Sequence, residues 1–289
     1  MTPNKIRFFY ILYIVAVTAF FLYWLFPDSA VRSYLSFRLK SANPDFNLTL
    51  VQAKPTFPPG LKLEKMNISH KNMPVLDIAE LKIGPDLRSL FSPGNTFLFK
   101  ADLYGGTIKG RLDLNPKAPN HAVVLNSAIT GIQIGSSAGL ERLLKRKISG
   151  TLGGTVQFES REGGAGVVSA GLNLSDAKVE ILASVFGMEH LSFKNISADI
   201  TAAGKNVRIK TGIIRGDQID GKFNGTVELT EPISKSILDL SGSFRPHHQF
   251  LADLRKRLPV NFLSKKRTDN NEFPVQFAGT IDSPVFSLN

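Results

Sequence analysis

From residue 46 onward, apolar and polar residues alternate along the chain. Leu61-Lys62-Leu63-Glu64, Phe97-Leu98-Phe99-Lys100-Ala101-Asp102-Leu103, Val207-Arg208-Ile209-Lys210 and Leu238-Asp239-Leu240-Ser241 are examples. A period of two places the apolar groups on one face of a strand and the polar groups on the other, which is the pattern of half-buried antiparallel strands. Runs of this kind start near residues 47, 61, 75, 97, 107, 122, 148, 167, 178, 191, 206, 218, 236 and 273. They predict about fourteen strands at roughly ten-residue spacing, a meander or a sandwich. Turn residues punctuate them at Pro58-Pro59-Gly60, Ser92-Pro93-Gly94-Asn95, Asn115-Pro116, Gly163-Gly164-Ala165-Gly166 and Gly204-Lys205-Asn206. Helical periodicity is confined to two short stretches, Ser137–Lys147 with Leu140, Leu143 and Leu144, and His247–Leu258 with Phe250, Leu251, Leu254 and Leu258.

The N-terminus breaks this pattern. Phe8 to Phe26 reads FFYILYIVAVTAFFLYWLF, 19 residues without a charge. As a helix at about 1.5 Å per residue it matches the roughly 30 Å hydrocarbon core of a bilayer. A cleaved signal peptide has a shorter apolar core and ends in small residues, whereas this run ends Tyr23-Trp24-Leu25-Phe26-Pro27. The expectation is an uncleaved anchor over 8–26, bounded by Phe8 and Phe26, with Trp24 at the interface. Residues 1–7, carrying Lys5 and Arg7, would then lie on the cytoplasmic side, although Arg32, Arg38 and Lys40 reduce the charge bias. Residues 27–45 read as a juxtamembrane linker and 46–289 as one large β body.

Composition narrows the classes. With 43% apolar and 20% charged residues, the chain can bury a core and is not intrinsically disordered. Cys 0 removes disulfide scaffolds, thiolate metal sites, cysteine nucleophiles and redox switches. Phe 21 against Tyr 5 and Trp 1 leaves most ring surface without a polar tip, which suits a greasy interior or a greasy ligand. Of the net charge of +11, Lys5 and Arg7 account for two, so the body carries +9, a sign that favours anionic lipid headgroups or acidic partners.

A short element recurs: glycine, then Thr or Ser, then a bulky apolar residue. It occurs at Gly106-Thr107-Ile108, Gly150-Thr151-Leu152, Gly154-Thr155-Val156, Gly225-Thr226-Val227, Gly242-Ser243-Phe244 and Gly279-Thr280-Ile281. Glycine in a strand marks a bulge, a bend or a close backbone approach, so the repetition is consistent with a curved sheet as well as with ordinary hairpin punctuation. A curved sheet lined by Phe, Leu and Ile would form a trough that suits an acyl chain or a packed core equally.

The single N-terminal anchor, Tyr104-Gly-Gly-Thr-Ile-Lys-Gly-Arg-Leu-Asp-Leu114, Gly150-Thr-Leu-Gly-Gly-Thr-Val156 and Gly279-Thr-Ile-Asp-Ser-Pro-Val-Phe-Ser-Leu288 together resemble the AsmA/TamB-like envelope proteins. Within that set, the short length and the one anchor followed by one β body resemble the type II secretion system protein N (GspN) family. The resemblance implies a mainly β fold, with a transmembrane helix, a long curved antiparallel sheet and one or two short helices. It implies an inner-membrane, single-pass protein with its bulk in the periplasm, working as an accessory of the secretion machine by binding and assembly. The larger relatives imply an alternative, binding or transfer of phospholipid along a hydrophobic groove. The family supplies no catalytic residues, and no cofactor is expected.

The residues themselves nominate no enzyme. None of the five histidines, His70, His121, His190, His247 and His248, stands in an H-E-x-x-H arrangement. His247-His248 reads as a polar surface pair. G-x-x-x-x-G-K-[ST] is missing, and Gly163–Gly166 reads as a hairpin turn. Asp217, Asp220 and Asp239 fall at solvent-facing strand positions. Three basic clusters, Lys145-Arg146-Lys147, Arg255-Lys256-Arg257 and Lys265-Lys266-Arg267, lack the interleaved aromatics of a single-strand nucleic-acid platform. The first two are candidate contacts for anionic lipid or an acidic partner surface, against the plainer reading of a solvated helix face.

Overall fold

A computed structural model of the chain describes residues 3–71, 73–89, 95–114, 123–144, 147–160, 166–180, 190–248, 250 and 272–288. Two helices come first, α1 (Pro3–Trp24) and α2 (Asp28–Ala42). The strands β1 (Phe46–Thr56), β2 (Gly60–His70), β3 (Met73–Pro85), β4 (Asn95–Leu103), β5 (Gly106–Leu114) and β6 (Val123–Gln133) follow. After a short helix α3 (Ala138–Leu144) come β7 (Ile148–Ser160), β8 (Val167–Glu180), β9 (His190–Ala203), β10 (Asn206–Gly216), β11 (Ile219–Glu228), β12 (Ile237–Pro246), β13 (Phe273–Thr280) and β14 (Pro284–Leu288). All fourteen strands form one antiparallel sheet in which spatial order equals chain order. The meander is therefore found, not the sandwich.

Three details differ from the sequence reading. The runs near 167 and 178 are one strand, β8, interrupted only by Asp176 at φ 51°. The strand β14 was not anticipated. The expected linker 27–45 is mostly the helix α2, which places Val31, Leu35 and Leu39 on one face, with Asp28 in its first turn and Lys40 in its last.

Among the described residues no helix is long and apolar enough to cross a membrane. α1 counts 22 residues, about 33 Å, and its side chains at 3–5, 15, 19 and 22 lie outside the described set. The transmembrane element included in the expected fold thus rests on the sequence, not on the structure. α1 ends at Trp24, and Phe26 packs against the core of the sheet instead of extending the helix.

Most buried apolar residues cluster in the first half of the sheet, with Ala177, Phe273 and Val275 buried apart from them in the second. Leu50, Ala53, Leu63, Met66, Ile78, Ala101, Leu103 and Ile132 are buried together, with Val31 and Leu35 of α2 laid over them. α2 runs antiparallel to β1 and covers its open edge. The Asp28 carboxylate accepts the Ala53 N–H at 2.7 Å and the Ser36 hydroxyl donates to the Leu48 carbonyl at 2.9 Å. Both backbone groups would otherwise offer a template for another strand.

The polar face carries two lateral rows of charge. Lys54, Lys62, Lys82, Lys100 and Lys109 stand directly opposite one another across β1–β5. Five like charges in one row would repel. Beside them Glu64, Glu80 and Asp102 form a second row across β2–β4. Lys62 reaches Glu64 at 2.8 Å and Glu80 at 2.7 Å; Lys82 reaches Glu80 at 2.6 Å and Lys100 reaches Asp102 at 2.9 Å. Hydrogen bonds to Glu64 and Glu80 hold the Lys62 ammonium above its ordinary range, and the Lys62 bond holds Glu80 below its ordinary 4.5.

The motif glycines are where neighbouring backbones crowd the sheet. Gly154 and Gly225 adopt φ of 141° and 145°, and a Cβ there would collide with the carbonyl oxygens of Gly171 and Asp239. Gly225→Ala is expected to cost about 2–3 kcal/mol in chemical denaturation, from backbone strain plus the collision. Gly204→Ala, at φ 57° with open space around it, should cost only ~1 kcal/mol; equal losses would refute the close-approach reading.

The charge rows give a second prediction with a defined sign. Glu64, Glu80 and Asp102 are depressed, so their stabilisation is present above the ordinary carboxylate range and is lost as pH falls from that range through their lowered folded values. Lys62 is raised, so its share is present below its ordinary 10.5 and is lost only as pH rises beyond it. Stability should be flat from about pH 5 to about pH 10 and fall on either side, and Glu80→Gln should shallow the acid limb measured by thermal unfolding.

Candidate functional site

Register decides what lies on the apolar face. One lateral row crosses all fourteen strands through Ala53, Leu63, Leu81, Ala101, Ile108, Ile129, Gly154, Leu172, Ala198, Gly212, Phe223, Gly242, Val275 and Leu288. Every position is apolar or glycine. The adjacent row runs Pro55, Leu61, Ile83, Phe99, Gly110, Ser127, Val156, Ala170, Ile200, Ile209, Gly225, Leu240, Phe277 and Phe286. Its one polar member, Ser127, turns its hydroxyl onto the Val156 carbonyl at 3.1 Å. Several rings lie flat across glycines opposite them: a Cβ on Gly110 would meet the Phe99 ring, and one on Gly212 the Phe223 ring. The phenylalanines thus shield the thinned backbone of the next strand.

The two halves of this face differ in cover. Over β1–β4, Ala53, Leu63 and Ala101 are buried beneath α2 and the surrounding cluster, while Leu61, Leu81, Ile83 and Phe99 of the same rows are half-buried at its border. From β8 to β12 the equivalent side chains, among them Leu172, Ile200, Ile209, Phe223 and Leu240, are only half-buried. Phe277 and Phe286, in contact at 5.2 Å, stand 37% and 48% exposed at the end of the row. A continuous apolar surface left half open across several strands is the candidate site, shaped for a long apolar ligand and not for a point contact.

The sheet does not lie flat. Lys71, in the β2–β3 turn, reaches Glu231, between β11 and β12, at 2.8 Å and Asp45 at 3.6 Å. α3 packs against β3 and also touches the single turn at Ile233–Lys235. Twist of about 20–25° per strand adds up to roughly half a turn between β3 and β11, which brings opposite hairpin ends of the two halves together. This clasp is where the trough closes on itself.

Asp45, His70 and Glu231 bring three potential ligand atoms within 4.8 Å of one another, so a metal ion has donors there. The Lys71 ammonium already supplies a cation to both carboxylates, and its hydrogen bond is the largest cause of the lowered Glu231 carboxyl. A second polar cluster lies on the other face, in a cleft of about 260 Å³ lined by Arg215, Asp220, Lys222, Ser243, Arg245 and Glu272. His247 closes it, its Nε2 at 3.0 Å from Asp220 Oδ2 and its Nδ1 at 2.9 Å from the Asp217 carbonyl. Hydrogen bonding to His247 depresses the Asp220 carboxyl.

Of the residues nominated from sequence, Phe8 and Trp24 are exposed on α1, Trp24 stacked on Phe20 at 5.7 Å. Lys147 is exposed beside β7, where its N–H donates to Glu180 Oε2 at 3.2 Å. Lys145, Arg146, Arg255, Lys256 and Arg257 lie outside the described residues, as do Lys265-Lys266-Arg267 and most of the expected helix over His247–Leu258. Phe250, at its start, is buried. The expected helix over Ser137–Lys147 is found as the shorter α3. The residues missed from sequence are His70, Lys71 and Glu231, which no local signal connects across 160 positions.

Comparison of the chain with protein-family models, with curated proteins and with solved structures returns no match. If the open half of the face is a ligand surface, truncation there should be cheap. Leu63→Ala, in the covered half, is expected to lose about 3 kcal/mol on denaturation, whereas Leu240→Ala should lose under about 1 kcal/mol. Comparable losses would mean that both halves are packed core.

Proposed function

We propose that this chain is a membrane-anchored envelope protein whose apolar sheet face binds lipid acyl chains, as a lipid-binding or phospholipid-transfer module. The half-open continuation of the apolar rows over β8–β12 carries this reading. An acyl chain laid across the strands would remove from water a surface that the protein's own described elements leave partly wet. α1 is the proposed anchor, supported by its uncharged run from Phe8 and its length of about 33 Å. The proposed location is the inner membrane, single-pass, with the sheet in the periplasm.

The second reading, an accessory of the type II secretion system acting by assembly with other components, draws on the resemblance of the Gly-Thr strand motifs. Gly154 and Gly225 of those motifs are required by backbone crowding. They therefore speak for a curved sheet, a property of the wider AsmA-like set, more than for a secretion partner.

Full-length protein extracted in mild detergent and examined by native mass spectrometry with lipid extraction separates the two. Phospholipid at a defined stoichiometry is expected, and Ile200→Asp/Leu240→Asp should remove it while far-UV circular dichroism stays unchanged. A folded, lipid-free protein would overturn the acyl-chain reading and leave the secretion scaffold.

A further inference from the structure

At one end of the sheet three apolar features converge. The first is the α1–α2 junction, where Trp24 and Leu25 stand 74% and 67% exposed. α2 runs from Asp28, hydrogen-bonded to Ala53, toward Ser36, hydrogen-bonded to Leu48, so the junction lies at the end where β1 finishes. The second is the β1–β2 turn that follows there, Phe57-Pro58-Pro59-Gly60, in which Phe57 is 96% exposed. The third is the neighbouring β3–β4 connection. Gly84 packs against the Pro59 backbone, and Leu87, three residues further on, is exposed beside Arg88.

A phenylalanine almost wholly in water gains nothing from the fold that presents it. Two consecutive prolines after it restrict the backbone of the turn, so little conformational entropy remains to be lost when the ring is inserted elsewhere. An apolar tip flanked by a cation is the composition of a bilayer interface, where the ring enters the acyl boundary and Arg88 meets anionic headgroups. The chain runs from α1 into α2 through only Leu25-Phe26-Pro27, which ties this end of the sheet to the end of α1.

We propose that the Phe57 turn, with Leu87 and Arg88, is a membrane-insertion tip that seats the α1 end of the sheet in the headgroup region of an anionic bilayer. The proposal rests on α1 as the anchor and adds an orientation: the strands of the first half stand on the membrane, and the trough opens away from it at a fixed angle.

Trp24 is the chain's single tryptophan, so wild type and a Trp24→Phe/Phe57→Trp variant report on two positions separately. Both are reconstituted full-length in phosphatidylcholine–phosphatidylglycerol vesicles containing lipids brominated at shallow or deep acyl carbons. The indole at 57 is expected to lose about half its emission to shallow bromines, less to deep ones, and to be shielded from aqueous iodide. Trp24→Phe/Leu87→Trp should respond in the same way, which guards against a local fault at 57. Quenching at 24 but not at 57 or 87 overturns the tip and leaves the anchor standing. Quenching at 57 without quenching at 24 supports the tip and overturns the anchor; no quenching at any position overturns both. Iodide shielding at 57 without bromolipid quenching would mean that a protein surface covers the turn, and would overturn the lipid assignment.

Discussion

A strand shows alternate side chains to opposite faces, so in a sheet of fourteen strands each hairpin must keep the same parity as the last or the apolar face breaks. That parity is kept through every pairing. The row from Ala53 to Leu288 meets no charged side chain, although the register shifts between Ile129 and Ile132, between Ser149 and Thr151, and between Ile209 and Gly212. The irregularities fall where they realign the rows. Curvature, the apolar trough and the charged outer face all follow from this one condition.

Cover is the second variable. α2 seals both the edge of β1 and the core over the first half, through Val31, Leu35 and two side-chain hydrogen bonds to the strand backbone. No described element does the same over β8–β12, so Ala53, Leu63 and Ala101 are buried in the first half while Leu172, Ile200, Phe223 and Leu240, at the same parity, stay half-wet. Function is read from this asymmetry, because composition alone treats Leu63 and Leu240 alike.

Much of the fold was legible in the sequence because alternation and turn chemistry are local. All fourteen runs coincide with strands or parts of strands, and together they cover thirteen of the fourteen strands described. β8 reads as two runs because the polar pair Ser175-Asp176 interrupts the alternation, although it sits inside the ladder with Asp176 in a left-handed conformation. β14 was hidden by Pro284 directly after the Asp282-Ser283 turn. α2 is weakly written in the sequence because Arg32, Arg38 and Lys40 dilute its apolar pattern, leaving only the four-residue spacing of Val31, Leu35 and Leu39 to carry the helix. The site was legible only as a tendency toward a trough. Which residues share a lateral row depends on register, and the clasp of Asp45, His70, Lys71 and Glu231 depends on accumulated twist, neither of which is written in any window of sequence.

The same connectivity bears on how the molecule assembles. Every strand pairs only with its neighbours in the chain, so each ladder contact is short in sequence and the sheet can lengthen one hairpin at a time at a growing edge. The Lys71–Glu231 contact stands apart, joining residues 160 positions from each other, and it cannot form until nine further strands have been laid down. An ion pair that is weak as a source of stability can then act as a terminal event, distinguishing a sheet that has coiled to its full extent from one still being extended.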